Sequence, residues 1–293
     1  MSKCYICPRW CGADRSSGEI GFCRESNEIR IARYSLHMWE EPSISAEHGS
    51  GTIFFCGCNL RCEFCQNMSI SHSGEKGYAI SKERLSQIML ELRDMGAENI
   101  NLVTPTHFAD SIAEVLCTIK HRLGIPVVYN TSGYESVDTL KMFDGLVDIY
   151  LPDFKYFSNE LAKKYSSVGD YRERCEAAIL EMHRQVGSCL FDENGKMLKG
   201  LIVRHMVLPT CRHDSIAVLD RLAELLPKDD FYISLMSQYT PDFAKNINSP
   251  HAELHRKLTT FEYTSVLNHV QKLGLQGYCQ DKSSSTPDFT PNF

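Results

Sequence analysis

The sequence predicts an α/β fold with a parallel sheet, preceded by a small cysteine-rich module. Three observations carry this. Six short apolar runs alternate with amphipathic helical stretches. Polar residues follow most of these runs, as they do where a parallel α/β sheet builds a site at the carboxyl ends of its strands. Seven of the thirteen cysteines fall in two tight groups, one ahead of the first run and one directly after it. The alternation alone leaves two architectures open, a doubly wound sheet and a barrel.

Taken in order, GTIFF (51–55) reads as a buried strand that runs into the second cysteine group. The helix SKERLSQIMLELRDMG follows, with Ser81 as N-cap, Leu85, Ile88, Met89 and Leu92 on one face, and Gly96 as the stop. INLVT (100–104) is the second strand, and DSIAEVLCTIKHRLG is a helix capped by Asp110 and ended by Gly124, with Cys117 on its apolar side. IPVVYN (125–130), a short helical segment near 135–143 and LVDIYLP (146–152) continue the rhythm. After a longer helical region come GLIVRHMVLP (200–209), the helix DSIAVLDRLAELLP, the strand DFYISLM (230–236) and a last helix around FEYTSVLNHVQKLG. Residues 1–30 are expected to form the metal-binding module, 31–280 the core, and 281–293 a flexible tail without periodicity.

Composition narrows the function. At 43% hydrophobic and 23% charged, the 293 residues are ordinary globular material. A formal net charge of -6 with no long basic run speaks against a nucleic-acid partner. The absence of a signal-like or 18-residue apolar run speaks against a membrane, so a cytoplasmic location is expected. In a reducing compartment, so many cysteines point to metal ligation rather than a disulfide framework.

In FFCGCNLRCEFCQN, Cys58, Cys62 and Cys65 are spaced C-x3-C-x2-C. A structural zinc site closes with four ligands, usually as two separated pairs. Three close thiolates suit three corners of a [4Fe–4S] cluster and leave the fourth iron open to a small molecule. Cys56 reads as packing, and Phe64 as an aromatic shield.

With these residues in view, GCNLRCEFC resembles the signature of the radical S-adenosylmethionine (SAM) superfamily. WEEPSIS, NLVTPTH, YNTSGY, LPDFKY and VRHMVLP resemble, more narrowly, the pyruvate formate-lyase-activating-enzyme-like branch, over about residues 4 to 240. The resemblance implies a partial (β/α)6 barrel. Its open iron would chelate SAM, and one electron would release a 5′-deoxyadenosyl radical that abstracts hydrogen. By motif, Asn130 and Thr131, Arg204, and Gln238 would face SAM, and Asp153 and Lys155 would lie near its carboxylate or an associated cation. One departure stands out. Where activating enzymes carry Gly-Gly-Glu for the SAM amino group, this chain has Thr104-Pro105-Thr106-His107, so Thr104, Thr106 and His107 are expected to replace it, Thr106 first.

The first group, Cys4, Cys7, Cys11 and Cys23, forms a four-thiolate set expected to bind zinc or an auxiliary [4Fe–4S] cluster. The leading functional expectation is installation of a radical on a protein glycine, with SAM and a one-electron donor such as flavodoxin or ferredoxin as partners. A radical SAM enzyme acting on a small molecule is the alternative. A non-catalytic iron–sulfur electron carrier ranks last, because it has no need of polar groups at so many strand ends.

Overall fold

The structure, a computed structural model, describes residues 3–72 and 76–280; the expected tail at 281–293 lies outside the described residues. The chain runs β1 (Ile29–His37), α1 (Pro42–Ser45), β2 (Ser50–Phe55), α2 (Met68–Ser71), β3 (Tyr78–Ile80), α3 (Lys82–Asp94), β4 (Ile100–Val103), α4 (Ala109–Leu123), β5 (Val127–Thr131) and α5 (Val137–Lys141). It continues through β6 (Ile149–Pro152), α6 (Asn159–Ser166), α7 (Tyr171–Val186), β7 (Leu190–Phe191), β8 (Met197–Met206), α8 (Arg212–Leu225), β9 (Tyr232–Met236), α9 (Asp242–Asn246), α10 (Thr260–Leu273) and β10 (Gly277–Cys279).

Strands β2, β4, β5, β6, β8 and β9 follow one another in space as well as in sequence, every neighbouring pair parallel. This is the six-stranded β/α series expected of a partial barrel. The sequence reading had not anticipated the edges: β1 and β3 add antiparallel on one side, and β10 adds parallel to β9 on the other.

Local chemistry accounts for the helices. The Ser81 hydroxyl accepts the Arg84 N–H at 3.1 Å, and Leu85, Ile88, Met89 and Leu92 are buried on one face of α3. Thr259 and Glu262 close a capping box on α10. Asp110 is not the cap expected of it. Helix α4 starts one residue earlier, and the Asp110 carboxylate accepts the Ser111 N–H inside the first turn. Cys117 is exposed rather than packed, because α4 buries Val115, Leu116 and Ile119 on the opposite side.

The strands alternate strictly. Tyr129, Tyr150, Val203 and Leu235 face the helices, in the main core. Val128, Ile149, Leu151 and Ile202 face inward and form a separate apolar layer. Ile44 of α1 plugs this layer from the amino end of the strands. The plug is possible because β1 runs antiparallel to β2 and ends opposite its first residue, His37 against Ser50. The following segment therefore folds under the barrel, where the Asn99 side chain donates to the Ile44 carbonyl at 2.7 Å. Above the plug, the inward positions turn polar: Asn101, Asn130, Asp153, Arg204 and Ser234.

The N-terminal cysteine segment docks on the opposite, carboxyl end. The Cys58 N–H donates to the Cys23 carbonyl at 3.2 Å, Arg9 Nε to the Asn59 carbonyl at 2.7 Å, and Arg15 to the His107 carbonyl at 2.5 Å. Gly57 is needed at this seam. Its φ is +80°, and a Cβ there would lie 2.5 Å from the Cys23 oxygen.

Candidate active site

A cavity of about 570 Å³ occupies the barrel between the cysteine loop and the plug. That volume lies within the range of small-molecule sites. Cys58, Cys62 and Cys65 line its rim, with Phe64 beside them, packed on Tyr239. Cys62 is buried, while Cys58 and Cys65 are half-buried. Burial pushes Cys58 up to about 12 and Cys62 to about 11, and raises Cys65 as well. Each sulfur has a polar hydrogen-bond partner. Leu60 N–H donates to Cys58 Sγ at 3.4 Å and the Ser166 hydroxyl to Cys62 Sγ at 3.0 Å, while Ser71 Oγ stands 3.3 Å from Cys65 Sγ. Three clustered thiols, each met by a polar group, suit thiolates on iron, and ligation would displace their protons.

Among the described residues, no three His, Cys, Asp or Glu side chains stand close enough to hold a single metal ion. Cubane thiolates each bind a separate iron and so stand further apart than the ligands of one ion. The N-terminal cysteines likewise form no closed single-ion set, although Cys11 and Cys23 converge: a Cβ on Gly21 would lie 3.4 Å from both sulfurs.

A charged network forms the opposite wall. Arg204 Nε donates to Asp153 Oδ1 at 3.0 Å, Arg204 Nη2 to Asn130 Oδ1 at 2.6 Å, and Lys155 Nζ to Asp153 Oδ2 at 2.6 Å. Burial acts to raise Asp153, but Arg204 and Lys155 outweigh it and hold the carboxyl below its ordinary value. Burial likewise acts to lower Lys155, and Asp153 and Cys62 reverse it, so the ammonium stays charged. Thr104, Thr131 and Gln238 also line the cavity.

Thr106 and His107 do not. Thr104 takes φ +59°, and after Pro105 the chain turns at once into a 3₁₀ turn that runs on into α4. Thr106 is carried to the Glu135 carboxylate at 2.5 Å and His107 to the Cys56 carbonyl at 2.5 Å, both buried. The expectation that Thr106 leads the replacement of Gly-Gly-Glu is corrected by this turn. Thr104 is the only one of the three on the cavity, in a strained conformation typical of functional positions. Thr104→Val should therefore weaken SAM binding by about tenfold, one hydrogen bond to a charged group, if its hydroxyl meets the amino group. Thr106→Val should instead cost stability, by about 1–3 kcal/mol, through its loss to buried Glu135. SAM titration and urea unfolding of both variants separate the two outcomes.

Glu135 was missed by the sequence reading, and its position five residues past a strand gave no signal. It is buried against the hydroxyls of Thr106 and Thr131, and burial raises it from 4.5 to about 7. Between those values the native state keeps a proton that the unfolded chain has released. Its contribution to stability therefore falls as pH rises from about 4.5 to 7, by roughly 3 kcal/mol, and is flat above. Glu135→Gln mimics the protonated acid, so wild type should lose stability relative to it between about pH 4.5 and pH 7. An equal change in both proteins on urea unfolding would refute the shift.

Glu40 and Glu41 belong to the WEEPSIS stretch, where the sequence alone gives them no separate role. Both line the floor of the cavity, directly before the plug. The Asn101 side chain donates to Glu40 Oε1 at 2.9 Å, and Arg204 Nη1 stands 3.7 Å from Glu40 Oε2.

Residues 52–189 match the family model of the radical SAM superfamily. MJ0674, an uncharacterized protein of Methanocaldococcus jannaschii, is 30% identical over 291 residues, spanning 94% of this chain and 76% of that protein. The chain belongs to the radical SAM superfamily. Its fold agrees with solved structures of that kind. SuiB of Streptococcus suis bound to its precursor peptide superposes with a TM-score of 0.53 at 14% identity, over 76% of this chain and 46% of SuiB. Spore photoproduct lyase bound to SAM and a dinucleoside spore photoproduct superposes with a TM-score of 0.53 at 12% identity, over 81% and 78% of the two chains. This radical SAM protein thus spans less than half the length of SuiB. Superfamily membership implies an enzyme that uses a [4Fe–4S] cluster and SAM. Among the described residues, no helix is long and apolar enough to cross a membrane.

Proposed function

We propose that this protein cleaves SAM reductively at a [4Fe–4S] cluster on Cys58, Cys62 and Cys65 and abstracts hydrogen from a substrate held in the barrel. The single observation that supports it is the facing arrangement of three thiols and a compensated Asp153–Lys155–Arg204 network across one cavity. When bound, the cluster supplies the electron that cleaves the sulfonium of SAM. The chain's own residues orient and shield. Lys155 and Arg204 offer N–H donors suited to a carboxylate, the Thr104 hydroxyl can accept from an ammonium, and Phe64 with Tyr239 limits water at the cysteine rim.

Activation of a protein glycine, with flavodoxin or ferredoxin as electron donor, rests on the sequence resemblance alone. A small organic substrate is favoured by a specific observation: the cavity ends on a closed acidic floor rather than opening through the barrel. The N-terminal cysteines are proposed to hold zinc or an auxiliary cluster. Their seam with the Cys58 loop supports a second metal next to the first. The test is anaerobic reconstitution with iron and sulfide, metal analysis, and an assay for 5′-deoxyadenosine after dithionite reduction with SAM. An EPR signal that shifts on SAM addition and release of the nucleoside are expected. A reconstituted cluster indifferent to SAM would overturn the proposal.

A further inference from the structure

The cavity floor carries more carboxylates than the cations beside it can match. Three carboxylates line the cavity, buried Glu41 and Asp153 and half-buried Glu40, against two cations, Lys155 and Arg204. Both cations contact Asp153 closely, and Arg204 stands 3.7 Å from Glu40. Glu41 is left over. Its side chain is more than nine-tenths buried, and its Oε2 has no hydrogen-bond partner. A buried carboxylate oxygen without a donor is costly, and a turn of the side chain toward the cavity it lines would let a ligand supply one. Burial raises the proton affinity of both glutamates against the pull of Arg204, as expected of a site short of positive charge.

The surroundings say which cation fits. Phe54, Met206 and Met236 flank the polar floor with apolar wall, which suits an alkyl stem rather than a hydrated metal ion. SAM does not remove the need, because its net positive charge is offset by the net negative charge of a cluster on three thiolates.

We propose that Glu40 and Glu41 are the substrate-recognition floor of this cavity and take the ammonium or guanidinium group of an aliphatic substrate, holding its carbon chain upward toward the cysteine rim. The inference rests on the function proposed above and names its substrate class. Positions next to the charged end are thereby kept away from the reacting end, so hydrogen would be removed from the stem and not from the carbon bearing nitrogen.

The test uses the reconstituted full chain with SAM, titrated calorimetrically with butylamine, butylguanidine and, as the neutral counterpart, butanol. Saturable binding of at least one cation and none of butanol is expected, the two cations separating ammonium from guanidinium. Glu41→Gln should weaken that binding about tenfold or more, the loss of a charge-assisted hydrogen bond, and Glu41→Asp less. If Glu41→Gln fails to fold by circular dichroism, Glu40→Gln and the wild-type comparison of cation with alcohol still decide. Binding of butanol as tightly as the cations, no saturable binding of either cation, or unchanged affinity in the folded glutamine variant would each overturn the floor assignment. SAM cleavage by the same wild-type sample is measured alongside. Its absence would sink the functional reading, whereas cleavage without cation binding would sink the floor alone.

Discussion

Cys58→Ala, Cys62→Ala and Cys65→Ala will each release no 5′-deoxyadenosine above the protein-free background. Each variant removes one of the three thiols at the cavity rim, and a cubane held by two of them lacks the third corner. Cys56 is the nearest in sequence, but its buried thiol donates to the Lys76 carbonyl and does not line the cavity. The alanine variants should fold, because the loop is held by contacts that do not involve sulfur: Arg61 donates to the Cys58 and Leu60 carbonyls at 2.8 and 2.7 Å, and Glu63 N–H to the Tyr165 carbonyl at 2.9 Å. Iron content and nucleoside release, measured on folded protein, check this together. Wild-type turnover in any one of the three would remove that cysteine from the cluster.

Arg204→Met should be the most damaging single change to stability in the barrel interior. The guanidinium contacts Asp153 and Asn130 and stands near Glu40. Methionine fills much of the volume but leaves Asp153 with Lys155 alone and Glu40 with only the Asn101 amide. Breaking a buried ionic network from one side costs about 3–5 kcal/mol. Because the penalty falls on ionised carboxylates, it should grow with pH as they lose their protons. Arg204→Lys should recover only part, since a point charge cannot serve Asp153 and Asn130 in the same fork. Urea unfolding of the metal-free proteins under reducing conditions gives the measurement. A loss under about 1 kcal/mol for Arg204→Met would mean the network is solvated rather than buried.

Much of the fold was legible in the sequence because parallel β/α units write themselves in periodicity. The six core strands, the Ser81 cap and the face of α3 all follow from local patterns. The cysteine loop was legible for the same reason, since three ligands within eight residues need no tertiary information. What escaped depends on where a side chain points after a turn. His107 and Thr106 are adjacent to a cavity residue in sequence, yet the positive φ of Thr104 sends them outward. Glu40 and Glu41 sit between two strands where polarity usually means solvent. Only the antiparallel return of β1 under the barrel brings them inside. The resemblance named the branch from short motifs, and motifs at strand ends describe how SAM is held better than what is acted on.

Ile44 has a consequence for the order in which the molecule is made. The layer it plugs is contributed by Val128, Ile149, Leu151 and Ile202, all synthesised long after it. Contacts across such separations form late, because the intervening chain must first be organised. On the ribosome, the hook carrying Glu40, Glu41 and Ile44 waits unfilled through β4, β5 and β6 and seats only once β8 has emerged. The floor therefore waits for β8, with β9 and β10 still to be added, and a chain halted before Ile202 would have a cluster loop but an incomplete layer for Ile44.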